Sequence, residues 1–259
     1  MDIPAADHSK FRVIVYAAPD DPEELADVIA AVLKFHPTDA LIRARDVPGP
    51  LIDELSREAA ERLSGEISKI GVRAEAVPAA DVPEFKNTVV VHHARCPETG
   101  LEVLGLNAEE EMLVPWGDID LISVGQVPQE TARHYVTGEM ATISAARRTS
   151  PRPKDILLTP GPSAWFICKN PERELRIDHK RMNYEYLGKR KTFSATANFR
   201  LFFDDVIARA RQAYLTPSTR DYLEHGSVSD YSFDSPEALK QDAILHILIR
   251  RRSFQSPPS

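Results

Sequence analysis

Apolar positions follow two textures along the chain. Over residues 11–77, short β-branched runs bracket stretches with helical spacing. Beyond residue 88 the apolar runs are brief and broken by Pro and Gly. In the first texture, Phe11–Tyr16 is aromatic and β-branched, which predicts a strand. Asp21, Pro22 and Glu24 then form a helix start: a side-chain cap, a proline in the first turn and an acid near the positive helix end. Leu25, Val28, Ile29, Val32 and Leu33 share one helical face and predict a helix over Pro22–His36, stopped by Pro37. Thr38 caps a second, short helix over Asp39–Asp46, which Pro48-Gly49-Pro50 ends. Ser56 caps a third, with Leu63, Ile67 and Ile70 on one face and Gly71 in the left-handed position after it. Val72–Val77 alternates and closes the unit as a strand. The expected order is β-α-α-α-β.

The second texture predicts antiparallel strands at Val89–His93, Leu101–Leu106, Met112–Trp116, Ile119–Val127, Ile156–Leu158, Ala164–Cys168 and Leu175–Ile177. The basic, proline-containing stretch 146–154 reads as an exposed loop. Two helices follow, Ala197–Tyr214 and Pro236–Arg252. Ser235 caps the second, and Leu239, Ala243, Ile244, Ile247 and Leu248 form its buried side. The cations Arg250-Arg251-Arg252 oppose the negative end of its dipole. The expected fold is therefore α+β in two domains: residues 1–80, a linker over 81–87 containing Pro83, residues 88–252, and a frayed tail over 253–259.

Charge follows the same division. Residues 1–87 carry 10 Lys and Arg against 17 Asp and Glu, so the whole net charge of −7 falls there and the remainder balances. This argues against nucleic acid as the main partner. Cys96 and Cys168 are too few for a disulfide framework, and the first residues have no secretory pattern. A cytoplasmic, membrane-free protein is the expectation.

The strand Phe11–Tyr16, the helix Pro22–His36 and the stretch Ala60–Val77, with its helix-Gly-strand ending, resemble a fold shared by two families. These are the C-terminal domain of the ribosomal stalk protein and the adaptor of the Clp protease. The string Leu113–Ile119, with Trp116 inside it, resembles the strand-to-strand passage of bacterial pleckstrin-homology-like sheets. Both resemblances imply domains that bind partners. The Clp adaptor reads its peptide with an Asn-Asp pair after the first strand. This chain has Ala17-Ala18-Pro19-Asp20-Asp21 there, so no binding residue is carried over.

The chemistry-bearing motifs are sparse. No glycine-rich phosphate loop and no nucleophile elbow is present, so no nucleotide cofactor and no catalytic set is expected. His92, His93 and Cys96 suggest a metal, but neighbouring strand residues point to opposite faces and further ligands are missing. No metal is expected. Paired acids such as Asp204-Asp205 read as solvated. The richest cluster is Arg176, Lys180, Arg181, Lys189, Arg190 and Lys191, with His179, interleaved with Tyr184, Tyr186 and Phe193. Cations beside aromatics suit an anionic ligand or nucleic acid. The leading expectation is a non-catalytic adaptor that binds a protein. An enzyme with a dispersed site and an anion-binding module are the rivals.

Overall fold

The computed structural model describes residues 10–105, 111–132, 156–170 and 172–253. The fold is α+β. Strand β1 (Phe11–Val15) leads through helices α1 (Pro22–Leu33) and α2 (Pro37–Arg45) to strand β2 (Gly49–Leu55). Helix α3 (Arg57–Lys69) then returns the chain to β3 (Ala74–Pro78). These strands form one antiparallel-paired sheet in the order β2-β1-β3. The caps do what their side chains permit: Asp21 accepts from the Glu23 N–H at 2.8 Å, and Ser56 from the Ala59 N–H at 3.2 Å.

Two departures from expectation lie here. The order is β-α-α-β-α-β, because the segment from Gly49 is an edge strand and not only a helix terminator. An edge strand tolerates Pro50, and a left-handed Glu54 (φ 61°) breaks the alternation that would have revealed it. Pro37 does not simply stop a helix. It opens α2, where its missing N–H costs nothing, and His36 rather than Thr38 is the cap.

The second sheet has seven strands in the order β10-β7-β8-β9-β4-β5-β6. They are β4 (Thr88–Arg95), β5 (Gly100–Gly105), β6 (Met112–Pro115), β7 (Ile119–Ala132), β8 (Ile156–Lys169), β9 (Glu172–Asp178) and β10 (Tyr214–Leu215). Pairing is antiparallel except at β4–β9 and β7–β10. The two strands expected within 156–168 are one long strand, whose Pro160-Gly161-Pro162 lies opposite Gln126-Val127-Pro128. Helix α4 (Ala195–Arg209) is shorter than expected. After it the chain makes β10 and then α5 (Pro217–Glu224), capped by Thr216. The stretch 146–154 and the residues beyond 253 lie outside the described residues.

Helix α6 (Pro236–Ser253) joins the two sheets. Leu239, Ala243 and Ile247, four residues apart, pack on Leu121, Val127, Trp165 and Ile167 of the large sheet. Ile244, Leu245 and Leu248 pack on Ile14, Val77 and Val82 of the small sheet and its exit. The helix is apolar on two sides because it is covered on two sides. Helices α1–α3 cover the far face of the small sheet, and α4 and α5 the far face of the large one. The layers therefore run helices, sheet, α6, sheet, helices. No helix among the described residues is long and apolar enough to cross a membrane.

Candidate functional site

Two close approaches set the start of α6. Gly125 of β7 leaves room for the Phe233 ring, which a Cβ there would meet at 2.4 Å, and the Phe233 N–H bonds the Gln126 carbonyl at 2.8 Å. A Cβ on Gly49 of β2 would meet the Cβ of Gln241 at 3.3 Å, and its φ is +137°, so both contact and conformation favour glycine. Ser235 caps the helix through its Oγ, accepting from the Ala238 N–H at 3.0 Å. The N-terminus of α6 is thus held between the two sheets.

A depression opens on each side of it. The larger, about 720 Å³, lies between the sheets and is lined by Arg43, Arg45, Pro50, Phe85 and Gln241 among others. The smaller, about 470 Å³, is lined by Gln129, Arg176, Lys180, Arg181 and Pro236. Both share Asp234 and Ser235, so they flank one helix N-terminus. Clefts between layers are common ligand sites.

Three of the six cations expected to bind an anion therefore meet, and three do not. Arg176 reaches Asp178 at 3.2 Å, and Ser163 donates to the same buried carboxylate at 2.7 Å. Lys180 donates to Thr159 at 2.7 Å. Arg181 is exposed at the rim. Of the other three, Arg190 makes two bonds to Asp205, at 2.9 and 2.6 Å, and Lys191 pairs with Glu185. Lys189 is exposed beside them. Asp205 is therefore not simply solvated. Arg190, seconded by the Tyr186 hydroxyl, holds its carboxyl below the usual range. Asp204 pairs with Arg200 at 3.2 Å. Tyr184 is buried, with its hydroxyl on the His179 carbonyl at 2.8 Å.

Most acids lining the two depressions are engaged. Glu84 bridges Arg12 and Lys86, Glu237 meets Lys240, and Asp242 accepts from Ser123 at 3.2 Å and lies 3.4 Å from His246. Arg43, Arg45 and Arg181, like Asp46 and Asp234, form no ion pair among the described residues. Sequence reasoning did not single out Arg43 or Arg45. The available signal was two arginines at the end of a short helix, but the helix dipole alone explains cations there.

Two groupings of serine, aspartate and histidine test the enzyme reading. In both, the carboxylate takes the serine hydroxyl, Asp178 from Ser163 and Asp242 from Ser123. His179 instead bonds the Pro162 carbonyl through Nδ1 at 3.1 Å, and burial lowers its pKa. Among the described residues neither His179 nor His246 hydrogen-bonds a serine hydroxyl.

His92 and His93 sit at a register shift in β4, which brings their rings to 4.4 Å despite their adjacency in a strand. Each has a protein partner: His92 Nδ1 donates to the Arg181 carbonyl at 2.6 Å, and Asn183 donates to His93 Nε2 at 3.0 Å. No group of three metal-ligating side chains occurs among the described residues. Burial pushes the Cys96 and Cys168 thiols up to about 12, away from reactive thiolate. Trp116 and Trp165 are core residues.

No family model matches this chain, and no curated protein or solved structure matches it.

Proposed function

We propose that this chain is a non-catalytic binding protein that holds an acidic segment of a partner protein across the N-terminus of α6. The observation that carries the reading is convergence. Arg43 and Arg45 line one side of that terminus, and Arg176, Lys180 and Arg181 line the other. The start of α6 adds a positive dipole end between them, although Pro236 has no N–H and Ser235 already takes the Ala238 N–H. Cations on both flanks suit a ligand with several spaced carboxylates, running from one depression into the other, better than a single small anion. Exposed arginines add rate and specificity through charge complementarity. The resemblance of residues 10–80 to the stalk-protein and Clp-adaptor fold supports a binding role and supplies no contact residue.

The test is binding of a short fluorescent oligoglutamate by the full chain, followed by anisotropy, with oligolysine and duplex DNA as controls. Oligoglutamate should bind, and its affinity should fall with salt. Arg43→Glu with Arg45→Glu, and separately Lys180→Glu with Arg181→Glu, should each weaken it about tenfold, or 1.4 kcal/mol. If both charge reversals bind like the parent, or oligolysine binds as well, the reading is wrong. Duplex DNA retained at physiological salt would replace it with a nucleic-acid role.

A further inference from the structure

The other end of α6 borders a third depression, of about 700 Å³, which the reading above does not use. Its floor is apolar: Ala213, Tyr214 and Leu215 from β10 and its approach, with Ile249 of α6. Its polar groups are mostly engaged elsewhere. Gln212 donates to the Trp116 carbonyl, the Tyr214 hydroxyl meets His246 Nδ1 at 3.4 Å, and Arg250 bonds the Asp120 carbonyl at 2.7 Å and its carboxylate at 3.2 Å. Arg220 of α5 differs. It is exposed, its guanidinium forms no ion pair among the described residues, and it lies 5.6 Å from the centre of the Tyr214 ring.

We infer that this depression is a binding site for a small amphipathic carboxylate of the fatty-acid class. The chain lies on Leu215, Tyr214 and Ile249, and the carboxylate meets Arg220. Arg250, 5.7 Å from the same ring centre, is neutralised by Asp120. The one guanidinium here left without an ion pair among the described residues therefore calls for one negative charge, and its planar fork donates two parallel hydrogen bonds to a carboxylate. A drug-sized depression accommodates such a chain. A peptide fits less well. Apart from Arg220, the lining side chains with hydrogen-bonding groups already have partners that would compete with peptide amides, and β10 has only two residues, too few to template an added strand.

The test is calorimetric titration of the full chain with decanoate below its micelle concentration. Decan-1-ol and an apolar tetrapeptide free acid serve as comparisons. Decanoate should saturate one site and bind at least about tenfold more tightly than decanol. Arg220→Gln should remove that margin and leave decanol binding unchanged, while Arg220→Lys should keep part of it. Leu215→Ser should weaken both ligands. Arg220 is exposed, and an unchanged melting temperature of its variants would show that folding is intact. Equal binding of decanoate and decanol, no effect of Arg220→Gln, or unsaturable uptake of decanoate would overturn the inference. Tighter binding of the tetrapeptide than of decanoate would also overturn it and reassign the site to a protein C-terminus.

Discussion

The small sheet and the large sheet are each covered on both faces, but they acquire their covers differently. The small sheet takes its first cover from α1–α3, which lie beside it in sequence, and its second from α6, which the chain reaches only after the entire large sheet. The large sheet takes both covers from α4–α6, which come after six of its seven strands. One sheet is thus covered first by helices threaded between its own strands and the other by helices that come after most of its strands, and a single helix completes both. Each half has one core that α6 does not enter and a second face that packs against it, so two layers of distinct sequence texture need not behave as two independent folding units.

The largest effect that tests this comparison is removal of α6. Five large side chains, Leu239, Ile244, Leu245, Ile247 and Leu248, are buried through it. At roughly 1.5–3 kcal/mol each, their loss rivals the whole stability of a domain. A chain ending at Asp234 should show no cooperative unfolding by circular dichroism, in either half. Survival of a cooperative transition would mean that one half stands alone.

Next in size are single core truncations. Ile29→Ala in α1 and Leu248→Ala in α6 should each cost about 2–5 kcal/mol. Both tryptophans, Trp116 and Trp165, lie in the large-sheet half, Trp165 on its α6-facing side, so their fluorescence reports that half and its contact with α6, and neither lies in the small sheet. If α6 couples the halves, Ile29→Ala shifts the fluorescence transition as far as the circular dichroism transition. If only circular dichroism shifts, the halves unfold separately and the coupling is refuted.

A smaller effect concerns the segment between the sheets. Its composition reads as a linker, yet Val82 is 3% exposed, Phe85 packs on Trp165 at 5.1 Å between ring centres, and Glu84 bonds Arg12 at 2.8 Å. Limited proteolysis should leave residues 79–87 intact while the chain is folded. Early cleavage there would show that the sheets part readily.

The smallest is a pH effect confined to the large-sheet half. Asp205 has its carboxyl lowered chiefly by Arg190. A lowered folded pKa adds stability above the ordinary carboxylate range and loses it as pH falls through the folded value. Asp205→Asn should cost on the order of 1 kcal/mol at neutral pH, and the cost should fade below about pH 4. Glu174 runs the other way: burial raises its pKa, although the Asn87 N–H and the Thr88 hydroxyl offset part of the rise. Its charged form therefore weakens the fold at neutral pH, and the penalty is relieved as pH falls through the raised value. Glu174→Gln, which keeps an acceptor for both donors, should flatten that dependence. A parallel acid limb in all three proteins would sink both assignments.

Much of the small sheet was legible in the sequence because its signals are local. Caps at Asp21 and Ser56, helical spacing from Leu25 to Leu33 and the glycine at 71 each act within a few residues. Strand β2 escaped because edge strands admit the proline and the irregular residue that ordinarily argue against a strand. Likewise β10 and α5 escaped because two residues carry no period and Tyr214 continued the apolar spacing of α4. For α6 the apolar residues were legible, but not their division between two sheets, since a sequence does not say how many surfaces a helix faces. The cations were legible as a run, and the cleft was not. Arg176, Lys180 and Arg181 separate from Lys189, Arg190 and Lys191 through pairing with Asp205 and Glu185, and Arg43 and Arg45 arrive from a distant element. Convergence of that kind is tertiary information.

The shared helix also constrains how the chain can be made. During synthesis β1 and β3 leave the ribosome early, and α1–α3 can fold onto one face at once. The opposite face, with Ile14 and Val77, then stays bare while the whole seven-stranded sheet is translated. At about 5–20 residues per second that interval is on the order of ten seconds. Throughout it the nascent chain displays an apolar surface that α6 will cover only at the end, which makes this face the natural place for a chaperone to hold the unfinished protein.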